Sequence, residues 1–142
     1  MSLIRGGGAS DLPEIRAIQA ASPEAAQWDP DDYLRYDLRV CVEDARVVGF
    51  AVARQVAPGE WELLNLAIAP ESRRRGVGRR LLASVLESLE TGVAFSVFLE
   101  VRESNHAARA FYKSLNFQEV SLRQKYYDQP PESAIVMKFH SC

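Results

Sequence analysis

The spacing of apolar residues changes character along the chain, and each change marks an element. In "DLPEIRAIQA", Leu12, Ile15 and Ile18 recur at helical spacing behind Asp11, a residue type suited to the N-cap, with Pro13 in the first turn. A short helix is expected there. "ASPEAAQWDPDDYLRYDL" carries prolines and many small or acidic residues and reads as a loop followed by a second short helix. "RVCVE" and "RVVGFAVARQV" flank Asp44 and Ala45 and predict a hairpin, after which "APG" turns the chain into a third antiparallel strand, "EWELLNLAIA". From Gly76 the period becomes helical, with Val77, Leu81, Val85 and Leu89 on one stripe, and this helix should end near Thr91 and Gly92. "AFSVFLEV" is a continuous apolar run of strand length and predicts a strand buried on both faces, interrupted by one acid, Glu100. "NHAARAFYKSLNF" places Ala108, Phe111, Tyr112 and Leu115 on one helical stripe, with Asn116 where a left-handed residue closes a helix. "FQEVSLRQKYY" and "SAIVMKF" finish as strands around the loop "DQPPE". The order of strands, helix, strand, helix and hairpin predicts a mixed α/β domain in which a mostly antiparallel sheet is flanked by helices.

Length and composition narrow this picture. A chain of 142 residues, 47% apolar and 25% charged, predicts one domain spanning 1–142. The net charge of -2 gives no general reason to expect nucleic acid or an anionic membrane as partner, so any basic site must come from local clustering. Cys41 and Cys142 make neither a disulfide framework nor a metal-ligand spacing, which suits a cytoplasmic protein without a metal, and Cys41 is expected in the core. No stretch reaches the length of a membrane span, and "MSLIRGGG" lacks the apolar core of a signal peptide. It is assigned no element, with Ser2 and Leu3 set aside as an expression remnant.

One local charge cluster stands out against this balance. "RRRGVGRR", residues 73–80, opens the helical stripe with Arg73, Arg74, Arg75, Arg79 and Arg80 around Gly76 and Gly78. Cations at a helix N-terminus oppose the macrodipole at roughly 0.3–1 kcal/mol each, and crowded guanidinium groups repel one another. The arrangement becomes favourable when an anion sits there, because the glycines let the backbone approach while N–H groups and guanidinium forks face its oxygens. The bland alternative is a solvated basic turn. A Walker loop is disfavoured because no Lys-Ser or Lys-Thr pair follows the glycines, and a dinucleotide fingerprint because its third glycine is missing.

The run from Leu64 to Phe139 resembles the GCN5-related N-acetyltransferases (GNAT), and within them the RimI-type enzymes that acetylate the amino-terminal alanine of a small-subunit ribosomal protein. The resemblance rests on "NLAIAPESRRRGVGRRLL", with Arg73, Gly76 and Gly78 in the family's Gln/Arg-x-x-Gly-x-Gly pattern, on "LEVRESNHAARAFYKSLNFQEV" and on "RQKYY". It implies the acyl-CoA N-acyltransferase fold and acetyl-CoA as cosubstrate. Backbone groups of Leu66, Ala67 and Ile68 would line the pantetheine arm, while Arg73, Arg74, Arg75, Gly76, Val77, Gly78 and Arg79 would form the turn that holds the pyrophosphate.

Acetyl transfer from a thioester to an amine needs a neutral amine, support for a developing oxyanion and a proton for the departing thiolate. Glu100, a charged group in an apolar strand, could serve as base or be a carboxylate paired with Arg102 or another arginine; the resemblance favours the base, acting directly or through water. Tyr112 lies on a buried stripe, where tyrosine is commonly core, yet its hydroxyl needs a polar partner; the resemblance makes it the acid. Asn105 suits a helix cap, and the family also uses this amide to hold the pantetheine arm. Backbone N–H groups near Ala67 and Ile68 would bind the oxyanion if the strand bulges there. Tyr126 and Tyr127 should point to opposite strand faces, leaving a core role open for one, while the resemblance assigns both to the substrate peptide. His106 and His140 are expected as exposed structural residues, with no constellation for a covalent acetyl-enzyme. A protein amino terminus is the acceptor that follows from the resemblance. "SPEAAQWDPDDY" separates Pro23 from Trp28 where RimI-type loops pair Pro with Trp, so a small amine or a protein lysine is the alternative acceptor. The non-enzyme alternative is a CoA-sensing module.

Overall fold

In the computed structural model, residues 2–128 and 131–141 are described, with the backbone alone at 125–128. Cys142 and the Gln129 and Pro130 part of the "DQPPE" loop lie outside the described residues. Two compact units divide the chain, one comprising Met1–Arg54 with Leu63–Thr91 and the other Gln55–Glu62 with Gly92–Cys142.

In the first unit the opening residues form a strand rather than a disposable tail. β1 (Ser2–Gly6) runs antiparallel to β2 (Asp37–Glu43), Ser2 opposite Glu43 and Gly6 opposite Arg39. Five residues without apolar alternation carry little strand signal of their own; the unsatisfied backbone groups of β2 provide the template. β2 pairs antiparallel with β3 (Arg46–Ala57) across the turn at Asp44 and Ala45, whose φ values of 50° and 63° give the left-handed pair that a tight hairpin demands. The unit's strand order is β1-β2-β3-β4, where β4 is Glu60–Ile68. α1 (Leu12–Ala20) buries Leu12, Ile15 and Ile18, which join Tyr33, Val40, Phe50, Val52 and Leu64 in one core. The second short helix foreseen in the acidic loop is a 3-10 turn, Pro30–Arg35. α2 (Val77–Leu89) buries Val77, Leu81, Leu82, Val85 and Leu89. It packs where Gly49 leaves room on β3: a Cβ there would lie 2.7 Å from Ile68 Cδ1 and 3.1 Å from Leu81 Cδ1.

The second unit contains β5 (Ser96–Arg102), α3 (His106–Ser114), β6 (Gln118–Asp128) and β7 (Pro131–His140), in the strand order β4-β5-β7-β6. The start of β4 pairs parallel with β5, from Glu60 opposite Ser96 to Glu62 opposite Phe98, while β5–β7 and β6–β7 are antiparallel. β5 is not buried on both faces as its apolar run suggested. Val97, Leu99 and Val101 are buried, and Phe98, Glu100 and Arg102 lie on a half-buried face. Phe98 is what disguised the alternation in the sequence. α3 ends at Ser114, and Asn116, at φ 73°, supplies the left-handed closing residue. Behind it Tyr112, Phe117 and Phe139 stack in sequence, with centroids 5.5 Å apart at each step.

Asp11 departs from its expected part. It stands at the N-cap of α1 without a side-chain cap bond; its carboxylate instead accepts two bonds from Arg5 and one from the Gly8 N–H, each at 2.9 Å. The Arg5 guanidinium holds the Asp11 carboxyl below the usual carboxylate range. A depressed carboxylate stabilises the fold above its ordinary titration range and loses that contribution as pH falls through the folded value. Asp11→Asn should therefore cost about 1–3 kcal/mol near pH 7. The deficit should shrink as the pH falls below the ordinary aspartate value near 3.9. Thermal melts of both proteins across that range check this, and equal stability near neutrality would contradict it.

Candidate active site

The loop into α2 has the geometry of an anion cradle. Arg74 and Gly76 both take left-handed backbone angles, φ 64° and 81°, and Gly76 occupies the N-cap, where no side chain accepts from the helix. Arg80 N donates to Gly76 O at 3.0 Å, so the intrahelical ladder begins there and the N–H groups of Val77 and Gly78 project from the helix end. A Cβ added at Gly76 would meet nothing within 4 Å. Left-handed residues just before a helix start open its first N–H groups into a concavity of the kind that takes phosphate oxygens.

The arginines of this turn divide their work. Arg75 pairs with Glu43 at 2.6 Å, and Arg80 reaches the other Glu43 oxygen at 3.7 Å and hydrogen-bonds Ser2. Arg73 turns back on the chain: its Nε donates to Ile68 O at 3.1 Å and its Nη2 to Ser22 Oγ at 2.9 Å. These contacts engage the Arg73 and Arg75 side chains within the protein. The cradle's proposed hold on an anion therefore rests first on backbone N–H groups. In the neighbouring strand Ala67 is buried, and Leu66 N donates to the Asn65 side chain at 3.0 Å.

Asn65 belongs to a buried polar network that the sequence did not announce. Its Nδ2 lies 2.9 Å from Ala26 O, 3.1 Å from Gln19 Oε1 and 3.1 Å from the Tyr33 hydroxyl, which itself donates to Gln19 Oε1 at 2.6 Å. Gln19 Nε2 donates to Trp28 O at 2.6 Å. The segment between α1 and the 3-10 turn is thereby fixed to β4, with the Trp28 side chain 45% exposed. Gln19 lies between apolar helix positions, so periodicity alone gave it no distinction.

In the second unit the half-buried face of β5 carries paired charge. Arg123 Nη1 donates to Glu100 Oε1 at 3.1 Å, while Glu100 Oε2 is buried with no hydrogen-bond partner among the described residues. Of the arginines left open by the sequence, the partner is Arg123; Arg102 faces Glu132 at 3.4 Å. Ser104 donates to Glu132 and holds its carboxyl below the usual range. Tyr112 is the buried residue of α3, its ring edge-on to Phe111 and Phe117. Burial pushes its phenol well above the ordinary tyrosine value, so it stays protonated at neutral pH. Asn105 caps α3, its Oδ1 accepting from Ala108 N at 3.1 Å. Tyr126 and Tyr127 fall in β6, Tyr127 opposite Glu132; their side chains lie outside the described residues. His106 and His140 are exposed, and Cys41 is a buried thiol whose ionisation burial disfavours. No metal-binding cluster and no helix long and apolar enough to cross a membrane occur among the described residues.

In the first unit a helix start of the phosphate-binding type follows β4; in the second, β5 carries a carboxylate and α3 a buried tyrosine. Residues 11–117 match the Acetyltransferase (GNAT) family, and the chain belongs to that family as an acetyl-CoA-dependent N-acetyltransferase. It is 38% identical over 136 residues to the ribosomal protein bS18-alanine N-acetyltransferase of Salmonella typhimurium, covering 90% of each chain. The crystal structure of the ribosomal-protein-S18-alanine N-acetyltransferase from Escherichia coli superposes with a TM-score of 0.84 at 33% identity, over 99% of this chain and 94% of that one. That of Ard1 from Thermoplasma volcanium superposes with a TM-score of 0.90 at 27% identity, over 99% and 98%.

Burial raises both the Tyr33 and the Tyr112 phenol. Their neutral forms are favoured in the folded state, so this contribution is complete below the ordinary tyrosine value near pH 10 and is lost as pH rises towards the folded value. Of the chain's 5 tyrosines, Tyr33 and Tyr112 should therefore ionise late, with the fold's alkaline melting. Phenolate absorbance followed against pH checks this, with Tyr112→Phe removing one late step. Ordinary ionisation of every tyrosine in the native protein would contradict it.

Proposed function

We propose that this enzyme acetylates the α-amino group of a protein amino terminus, as the names of its bacterial relatives state for theirs. Acetyl-CoA supplies an activated thioester. The turn at 74–79 holds its pyrophosphate through the N–H groups of Val77 and Gly78 and the guanidinium groups of Arg74 and Arg79. The backbone of Leu66, Ala67 and Ile68 and the amide of Asn105 hold the pantetheine arm. The open cradle over left-handed Gly76, which no side chain caps, supports this assignment.

In the reaction the amine nitrogen bonds to the acetyl carbon, the carbon–sulfur bond breaks, Glu100 takes the proton released by the amine, and Tyr112 gives its proton to the sulfur. The observation that carries the reading is the buried Glu100 Oε2: a desolvated carboxylate oxygen without a partner is costly in a purely structural ion pair and is what a proton acceptor requires. Tyr112 carries its proton at neutral pH and is the donor assigned to the leaving thiolate, with burial weakening it as an acid. An α-amino group, with an ordinary value near 7.7–8.0, offers far more neutral amine at pH 7 than a lysine near 10.4, which suits a mild carboxylate base. Tyr126 and Tyr127 on β6 receive the acceptor's main chain, and the pinned segment bearing Trp28 shapes the acceptor site. We place the enzyme in the cytoplasm.

Turnover with acetyl-CoA and a panel of acceptors tests the substrate class. Peptides with a free Ala or Ser amino terminus should outcompete free lysine and small amines, whereas turnover of small amines with no activity on any peptide would support the alternative. Tyr112→Phe should lower kcat by about 10²–10⁴-fold while acetyl-CoA still binds, and Glu100→Gln should lose rate that partly returns at higher pH, where more amine is already neutral. Gly78→Val should weaken acetyl-CoA binding by calorimetry more than any single arginine-to-alanine change in the turn. Near-normal kcat in Tyr112→Phe, or unchanged affinity in Gly78→Val, would remove the corresponding role.

A further inference from the structure

Glu100 and Arg123 are on different strands, and the register explains how they meet. Glu100 lies opposite Val136 of β7, which lies opposite Ser121 of β6; two residues along, Arg102, Ala134 and Arg123 align in the same way. Residues directly opposite in antiparallel strands share a face, as do residues two apart. Glu100, Arg102 and Arg123 therefore occupy one face, and the Arg123 side chain reaches diagonally across β7 to Glu100. Arg102, nearer in sequence, is drawn off by Glu132, which Ser104 N also engages at 2.5 Å.

The contact itself is uneven. Only one oxygen of the carboxylate is engaged: Arg123 Nη1 meets Oε1 at 3.1 Å, and Oε2 stays buried without a partner among the described residues. Arginine and carboxylate ordinarily gain most from a two-pronged contact, and an end-on contact at a desolvated carboxylate forgoes that gain. The Arg123 side chain is 59% exposed, so the pair adds little to stability. An exposed arginine that fixes a poorly solvated carboxylate by one oxygen restricts the rotation of that carboxylate and selects which oxygen is left over.

We propose that Arg123 is a positioning residue for acetyl transfer: by engaging Oε1 it presents Oε2 of Glu100 as the oxygen that accepts the amine proton, directly or through one water. This rests on the reading of Glu100 as the base. It also makes β6, the strand of Tyr126 and Tyr127, the source of the group that orients that base.

The test is steady-state kinetics on an Ala-initiated peptide with Arg123→Gln, Arg123→Lys, Glu100→Gln and the double variant Glu100→Gln/Arg123→Gln, alongside acetyl-CoA affinity and thermal melts. Arg123→Gln should lower kcat roughly 5–30-fold, with peptide KM, acetyl-CoA affinity and Tm nearly unchanged, as expected for a misplaced catalytic group. Arg123→Lys, which can still make one charge-assisted bond, should recover most of the rate. In the Glu100→Gln background the Arg123 change should have no further effect, because the two act as one unit. A kcat within about twofold of wild type in Arg123→Gln, equal losses in the Lys and Gln variants, losses that multiply in the double variant, or a fall in Tm that parallels the fall in rate would overturn the proposal. Wild-type kcat in Glu100→Gln would instead remove the base itself. A slow Glu100→Gln with a fully active Arg123→Gln would leave the base standing and reject the role of Arg123 alone.

Discussion

The electrostatic conflict at the start of α2 sets the terms for the first unit. A helix already positive at its N-terminus begins after three consecutive arginines, with two more in its first turns. The protein resolves part of this conflict internally. Glu43, at the end of β2, sits against Arg75 and Arg80, and Arg73 is folded back on Ile68 O and Ser22. What remains is backbone: Arg74 and Gly76 in left-handed conformations and N–H groups at an uncapped helix end. Arg73, Arg75 and Arg80 thus brace the turn, whose backbone N–H groups are donors of the kind a phosphate takes. Gly49 leaves room for the same helix, since a Cβ there would crowd the side chains of Ile68, Leu81 and Val77.

The second unit is built on a different principle, the separation of one strand's two faces. The Val97, Leu99 and Val101 face is apolar and buried, while on the other face Glu100 meets Arg123 through one oxygen and Arg102 meets Glu132, both partners from the hairpin that follows. Nearby in sequence, α3 presents Tyr112 to an aromatic stack that keeps the phenol neutral.

The segment after α1 is ordered by buried polar contacts to β4. Its amino-acid pattern suggests little order, yet Gln19, Tyr33 and Asn65 tie it to β4 with short hydrogen bonds among buried groups. Such a network is rigid because each polar atom removed from water must keep its partner. The exposed Trp28 is therefore held on a fixed backbone, and the same Asn65 that anchors this segment also takes the N–H of Leu66.

The sequence by itself determined the elements whose signal is local. The stripe of Val77, Leu81, Val85 and Leu89, the hairpin at Asp44 and Ala45, the left-handed Asn116 and the cation-rich helix start with its two glycines all follow from neighbours within a few residues. These sufficed for the fold class, while the family and the parts expected of Glu100 and Tyr112 came from the resemblance carried by the motifs around Arg73 to Gly78 and "LEVRESNHAARAFYKSLNF". Tertiary structure decided what depends on partners far along the chain. β1 exists because β2 offers it an edge, the two faces of β5 differ despite Phe98 because β7 and β6 bring charge to one side, and Asp11 abandons a local cap for Arg5. Which arginine meets Glu100 was settled by strand register, since Arg102 is two residues away in sequence but is engaged by Glu132, whereas Arg123 arrives from another strand. Periodicity is imposed by each element's own geometry and survives in the sequence; the pairing of charges is set by which strands the fold places side by side.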